Sequence, residues 1–409
     1  MRNPEIADLI TVESALEIIL QCALDMGTEE VALSRALGRV LAEPLTADRP
    51  FPPFDRVTMD GIAIRHANFM DGARVFQIQA MQAAGQPPLT LLNDSSCIEI
   101  MTGAVLPLGT DTVIRYEDLL IQNGQATLTT EQIEPGQNIH FLGSNRNPGA
   151  TIVPEGTLIG PGETGIAATV GKAFLKVKRL PQVAVISTGD ELVEVHETPL
   201  PYQIRSSNVY SLSAGLQQMG LQPVRKHFPD DPQIIQAGLK ESLEHFDAIL
   251  ITGGVSEGEF DFVPAALAAL GVEKRFHKVR QRPGKPFWFG LYQQKCAVFA
   301  MPGNPVSAFM GTQQYFRPWL YHSLGLTAPT PVYAVLAEDF SFKPDLTYFL
   351  QVVLQYTPSG QLLAFPQAGG GSGDLANLAN ADAFMELPAD KAHFLKGEAY
   401  PVLIYRRAF

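Results

Sequence analysis

Apolar residues recur at helical spacing near the start of the chain, where Leu16, Ile19, Leu20 and Ala23 follow Ser14 and Glu17, a pair that fits a capping box. A helix is predicted there. Pro44, Pro50, Pro52 and Pro53 end that pattern. From about Arg56 to Thr130 it gives way to short alternating runs such as Phe76-Gln77-Ile78-Gln79, separated by Gly, Pro, Asn and Asp. This alternation predicts a compact β domain. Residues 136–171 are rich in Gly and Pro and regain helical apolar spacing at Ile166 to Val170, which fits either a return to the first structural unit or a linker.

From Pro181 onward strand and helix signals alternate. Val183 to Ser187, Ala248 to Thr252 and Ala297 to Ala300 read as buried strands. Helices are predicted over Val209 to Met219 behind an Asn208 cap, from Pro232 to near His245, over Phe262 to Leu270 and over Val306 to Trp319. Such alternation implies a doubly wound parallel sheet with helices on both faces, whose ligands bind beyond the carboxyl ends of the strands. The stretch from Pro331 carries strand signals at Val332 to Leu336, Tyr348 to Tyr356, Leu362 to Phe365 and Tyr400 to Tyr405, with a Pro-Ser-Gly turn at 358–360. It predicts a small all-β domain, so the fold class is multi-domain α/β plus β.

Composition narrows the function. The 409 residues are 46% apolar, ample for globular cores, and a disordered or fibrous chain is excluded. A formal net charge of -12 without any basic block argues against nucleic acid or anionic lipid as partner and favours a small molecule. Cys22, Cys97 and Cys296 lie far apart, without the paired spacing of zinc sites or disulfide frameworks, and none of the eight histidines pairs with another at ligand spacing. Met1 to Ile10 does not read as a signal peptide and no apolar run reaches membrane-spanning length, so a soluble, cytoplasmic protein is expected.

Four loops fall where the α/β pattern expects a ligand crevice: Thr188-Gly189-Asp190-Glu191, Asp230-Asp231-Pro232, Gly253 through Asp261, and Pro302 through Ser307. Gly253 and Gly254 let backbone amides approach an oxyanion, though a tight turn alone would also explain them. The helix starting near Val306 offers N–H groups and its positive dipole end, and Ser307 adds a hydroxyl. Lys278, Arg280, Arg282 and Lys285 recur along a segment stiffened by Pro283 and Pro286, as a cradle for a tetrahedral oxyanion or as a solvated basic loop. Glu191, Asp230, Glu259 and Asp261 bring carboxylates to the same edge. Mg²⁺ is typically held by one or two such groups plus substrate phosphates, while Asp230 could equally cap the helix opened by Pro232. Phe51 to Gly61 and Met101 to Ala104 read as well-packed turns, and Gly369 to Gly373 as a connector or an anion-binding loop.

Taken in order, Asp55 to Arg65, Met101-Thr102-Gly103-Ala104, Ser187 to Leu192, Asp230-Asp231-Pro232, Gly253 to Ser256 with Asp261, Arg282-Pro283-Gly284-Lys285-Pro286 and Pro302 to Ser307 closely resemble the molybdopterin molybdenumtransferases, the MoeA and gephyrin E-domain family. The resemblance covers nearly the whole chain. It implies insertion of molybdate into adenylylated molybdopterin with release of AMP, aided by Mg²⁺ at Glu191 and Asp261. It also implies a homodimer of four-domain subunits, supplied by the pterin-adenylylating enzyme of the same pathway. The domains expected are a split N-terminal domain (1–50 and 141–180), an inserted β domain (51–140), an α/β molybdopterin-binding domain (181–326) and a C-terminal β domain (327–409). The crevice is expected between one subunit's α/β domain and the other's C-terminal domain.

Matched positions assign Asp60, Thr102, Glu191, Asp230, Asp261 and Lys278 to the functional cleft. Gly253, Gly254, Arg282, Lys285, Ser307, Gln351 and Ser372 are assigned to substrate, with Arg282, Lys285, Ser307 and Ser372 as the molybdate-holding set. Three positions depart from the family pattern. Gln351 stands where a basic residue is usual, Asn145 where a carboxylate is expected, and Arg282 where Lys is frequent. Two other functions therefore stay open: a diverged relative that binds pterin or nucleotide without efficient turnover, as a binding or scaffold protein, and an unrelated metal-dependent nucleotidyl hydrolase.

Overall fold

The computed structural model describes residues 9–255, 262–327, 330–367 and 369–406. The α/β domain positions the site. Its strands are β1 (Val183–Thr188), β2 (Val224–Phe228), β3 (Ala248–Thr252), β4 (Glu273–His277), β5 (Trp288–Tyr292) and β6 (Cys296–Met301), ordered 2-1-3-6-5-4 in one sheet. The β1, β2, β3 and β6 ladders are parallel, as expected. β5 is antiparallel to both its neighbours, so the sheet is mixed at that end. The turn that makes this hairpin carries Gln293 and Gln294 at φ 48° and 54°, a conformation usually marked by Asn-Gly and here without that signal.

The buried strands are continuous apolar runs because both faces are covered. Val183 and Val185 of β1 point into one core while Ala184 and Ile186 point into the other, and Ala248 and Leu250 alternate with Ile249 and Ile251 on β3 in the same way. One face is covered by α1 (Ser207–Gln218) and by the helical run that opens with α4 (Pro305–Gly311), the other by α2 (Pro232–His245) and α3 (Phe262–Ala269). Beyond α4 the helix widens into a π turn over Thr312–Phe316 and continues as Arg317–Ser323.

The first helix, Val12–Gln21, joins this core through Val12, Ala15 and Ile19. It begins one turn earlier than the Ser14 pattern predicts, because Thr11 Oγ1 accepts the Ser14 amide at 3.2 Å and is the cap. Strand Thr28–Ala32 pairs with Phe174–Lys178, and Leu45–Thr46 with Thr151–Val153, so residues on both sides of the inserted β domain share one core. The inserted domain folds as a six-stranded sheet with its own cores, in which Ile62, Phe76, Val113 and Ile114 are fully buried.

In the C-terminal domain Thr347–Tyr356 pairs with both Leu362–Pro366 and Ala383–Leu387, which closes five strands into a small barrel. Gln281–Arg282, from the cationic segment of the α/β domain, adds to this barrel as a parallel strand against Thr347–Tyr348. The same sheet thereby ties the two domains of one chain together.

Candidate functional site

From β1 the chain winds to β2 on one side and then to β3 on the other, so the carboxyl ends of the parallel strands β1 and β3 form the switch point where an α/β sheet opens a crevice. Thr188 ends β1. Gly189 follows at φ 133°, and a Cβ on it would collide with the Glu191 carboxylate, which folds back over this turn. On the other side, Gly253 sits at φ 103° and a Cβ there would lie 2.9 Å from both the Thr188 carbonyl and Oγ1. Glycine is required by close approach as well as by φ. The Gly253 amide donates to the Met301 carbonyl at 3.0 Å, which corrects the expectation that it faces a ligand. It extends the β3–β6 ladder instead.

Asn208 joins three elements at this edge. Its Nδ2 donates to Thr252 Oγ1 at 2.8 Å and to the Gly303 carbonyl at 2.7 Å. Sequence reasoning assigned Asn208 as the cap of α1, but Ser206 occupies that position and Asn208 lies within the first turn. Together with Thr188, Glu191, Arg205 and Pro305, these residues enclose a cavity of about 250 Å³. Thr188 Oγ1 is buried in its wall without a hydrogen-bond partner among the described residues.

The carboxylates at this edge divide their roles. Asp231 caps α2, accepting the Gln233 and Ile234 amides at 2.8 and 2.9 Å, so the capping role considered for Asp230 belongs to its neighbour. Asp230 and Asp190 instead accept each other's backbone amides at 3.4 and 3.1 Å, fastening the ends of β1 and β2. Glu191 is exposed, and Asp261 lies outside the described residues. Among the described residues no cluster of three or more His, Cys, Asp or Glu could cage a metal.

A second, smaller cavity of about 40 Å³ adjoins on the other side of the α4 start, lined by Arg282, Val306, Tyr348, Gln351 and Ser372 among others. The two are separated by the 369–375 segment: Ser372 faces the smaller cavity, Gly373 and Leu375 the larger. The Val306 amide donates to the Ser372 carbonyl at 3.1 Å, so that N–H of α4 is already used. This bond and the Arg282 strand pairing place the C-terminal wall on the same chain's α/β domain, correcting the expectation that the partner supplies it. The Gly-rich segment is no loose connector, since Gly370 donates to the Asp374 carboxylate at 2.8 Å and Asp374 caps the helix Leu375–Asn380.

The cationic segment is a tight turn built on buried Gln281, whose Nε2 donates to the Gly284 carbonyl at 3.1 Å and whose Oε1 accepts from Tyr315 Oη. Arg282 is exposed, with its guanidinium 5.9 Å from the Phe342 ring centre. Lys285 is half-buried, and its carbonyl accepts the Val279 and Phe287 amides, both at 2.9 Å. Lys278 sits at φ 72° with its amide on the Phe287 carbonyl at 2.9 Å. Ser307 is 2% exposed in the first turn of α4, and its carbonyl packs 3.8 Å from where a Cβ on Gly284 would stand.

Asp60 and Thr102 meet in the inserted domain. The Asp60 carboxylate accepts the Thr102 amide at 2.6 Å and its hydroxyl at 2.7 Å, and these bonds hold its pKa below the usual range. Among the described residues no hydrogen bond or ion pair joins 56–138 to 181–406. Asn145 lies at the crossing between the inserted and N-terminal domains, its Oδ1 3.1 Å from His140 Nε2. Sequence reasoning missed Asn208 and Asn377 as site residues. An Asn inside a helix whose strand-end neighbours are polar was the available signal for the first; the second has none.

Residues 10–171 match the family model described as MoeA N-terminal region (domain I and II), 184–322 the probable molybdopterin binding domain, and 333–405 the MoeA C-terminal region (domain IV). The chain is 38% identical over 396 residues to the molybdopterin molybdenumtransferase of Synechocystis sp., covering 96% of this chain and 99% of that one. It is 32% identical over 407 residues to the protein of that name from Bacillus subtilis, covering 97% and 94%. The crystal structure of a molybdopterin biosynthesis MoeA protein from Pyrococcus horikoshii superposes with a TM-score of 0.83 at 29% identity, covering 98% of this chain and all of that one.

Proposed function

The chain belongs to the molybdopterin molybdenumtransferase (MoeA) family, and from that membership and its own crevice we propose that it is a transferase of molybdenum-cofactor biosynthesis. It inserts molybdate into adenylylated molybdopterin and releases AMP. The observation that carries this reading is the pair of cavities meeting at Pro305-Val306 and Ser372-Gly373. The larger, at the strand ends, suits the nucleotide and pterin phosphate. The smaller, beside Arg282, suits a tetrahedral oxyanion, and the common wall puts that ion next to the pterin.

In this reading Asn208 and Gly253 shape the pterin side, while Arg282, Lys285 and Lys278 offset the charge of molybdate against an acidic protein. Val306 and Ser372, joined by their backbone hydrogen bond, fix the shared wall, with Ser307 buried behind it. Mg²⁺ in its usual mode needs only one or two protein carboxylates, for which Glu191 at this edge and Asp261, outside the described residues, are the candidates, with the remaining ligands from substrate phosphates and water. Bound there, the ion would neutralise charge on the phosphate as AMP leaves. Asp60 and Thr102, whose bonds stay within their own domain, reach the crevice from a second copy, which makes the working unit a homodimer. The protein acts in the cytoplasm and receives its pterin from the adenylylating enzyme. Neutral Gln351 in the oxyanion cavity supports a second reading, a relative that binds without efficient turnover.

Purified protein incubated with adenylylated molybdopterin, molybdate and Mg²⁺ separates the readings. Molybdate-dependent AMP release is expected. Binding without release would favour the non-catalytic relative, and release without molybdate the hydrolase.

A further inference from the structure

Gln351 is 7% exposed in the wall of the smaller cavity, and among the described residues its buried Nε2 has no hydrogen-bond partner. A buried amide N–H left unpaired is costly, so an acceptor placed in that cavity is favoured. Which end of the amide faces inward follows from its neighbours. The Gln367 carbonyl can only accept, and Asn377 Nδ2 donates to it at 3.0 Å. The second Nδ2 proton goes to Gln351 Oε1 at 2.6 Å. With Oε1 occupied, Nε2 is the end that remains.

The surroundings hold this relay in place. The Gln367 amide donates to the Gln351 carbonyl at 2.8 Å, and the Asn377 amide to the Asp374 carboxylate at 3.3 Å. Gly369 is part of the arrangement, because a Cβ there would lie 2.7 Å from Asn377 Nδ2 and displace it.

We propose that Asn377 is a positioning residue that locks the Gln351 amide with its N–H outward, making Gln351 a fixed neutral donor to a tetrahedral oxyanion beside Arg282 and Ser372. The inference rests on the reading of this cavity as the molybdate subsite. A tetrahedral oxyanion dianion offers only acceptors, so it binds the N–H end of an amide and is repelled by the oxygen end. About 40 Å³ admits a few water-sized atoms, at roughly 10–15 Å³ for one, which suits a small ion and excludes a nucleotide. Gln351 thus sets direction while the charge is met by Arg282.

Asn377→Asp preserves size but cannot donate, so the Gln351 amide would turn its oxygen to the cavity. Molybdate binding to the full chain, measured by titration calorimetry, is expected to weaken at least tenfold in Asn377→Asp and in Gln351→Met. The double variant should be no weaker than Gln351→Met alone, because one residue acts through the other. Gln351→Glu, which still accepts from Asn377 but presents an oxygen to the ion, should abolish binding, and it tests the same point if Asn377→Asp unfolds. Wild-type affinity in Asn377→Asp or Gln351→Glu, or losses that multiply in the double variant, would overturn the relay while leaving the molybdate site standing. A wild-type protein that binds no molybdate would overturn both.

Discussion

Asn208 Nδ2 donates to the Gly303 carbonyl across 2.7 Å, tying the first turn of α1 to the loop that leads from β6 into α4. The same nitrogen reaches Thr252 Oγ1 on β3, so one side chain holds three edges of the larger cavity. Asn208→Ala leaves the buried Thr252 hydroxyl and the Gly303 carbonyl without that donor, at a cost of about 1–3 kcal/mol. A lower thermal unfolding midpoint and a raised KM for the pterin substrate are expected. Steady-state kinetics beside a thermal melt check both.

Two glycines that lie against each other at the crevice should respond differently to a methyl group. Gly253→Ala places a Cβ 2.9 Å from the Thr188 carbonyl at φ 103°, and should destabilise by roughly 2 kcal/mol or more. In Gly303→Ala the new Cβ meets the Gly253 Cα at 3.7 Å, an ordinary contact, so stability should stay nearly unchanged. Urea denaturation of the pair reads the difference.

Glu386 is half-buried in the C-terminal barrel beside a cavity that also borders Glu13 and Arg280. Burial, with a smaller push from Glu13, raises its pKa from 4.5 to about 7. A raised carboxyl pKa means the folded state binds the proton more tightly, so its contribution is complete below pH 4.5 and is lost as pH rises towards 7. Glu386→Gln should leave stability at pH 4.5 unchanged and raise it above pH 7 by up to about 3 kcal/mol, at ~1.4 kcal/mol per pKa unit. Thermal midpoints across that range test the sign. A variant less stable than wild type at pH 8 would refute it.

If Asp60 serves the crevice of a second copy, defects on different chains should complement. Asp60→Asn and Glu191→Gln proteins should each be inactive alone. Co-expressed and purified as a mixed dimer, they should regain about half of wild-type activity, since one of two symmetric sites is then intact. No recovery in the mixed dimer would mean that both residues act on the same chain, and an Asp60→Asn protein active on its own would mean that Asp60 plays no part.

Much of this architecture was legible because apolar runs this short, fenced by turn residues and alternating with helical patterns, fit strands covered on both faces, as β1, β3 and β6 are. The strand-end rule likewise singles out Glu191, Gly253 and Pro305 from the sequence. What escaped was tertiary. β4 opens with exposed Glu273, Lys274 and Arg275, and its partner hairpin turns on Gln293 and Gln294, so neither strand carried a pattern or a turn signal. The cationic segment reads as a free cradle in sequence, yet buried Gln281 and Tyr315 fold it into a turn. Asn377 could not be found at all, because its role depends on Gln351 and Gln367, which only barrel closure brings to it.

Diffraction from crystals soaked in molybdate, recorded above the molybdenum absorption edge, tests the shared-crevice account most directly. It predicts one strong anomalous peak in the smaller cavity, within hydrogen-bond reach of the Arg282 guanidinium and Gln351 Nε2. A peak elsewhere on the molecule, with that cavity blank, would contradict it.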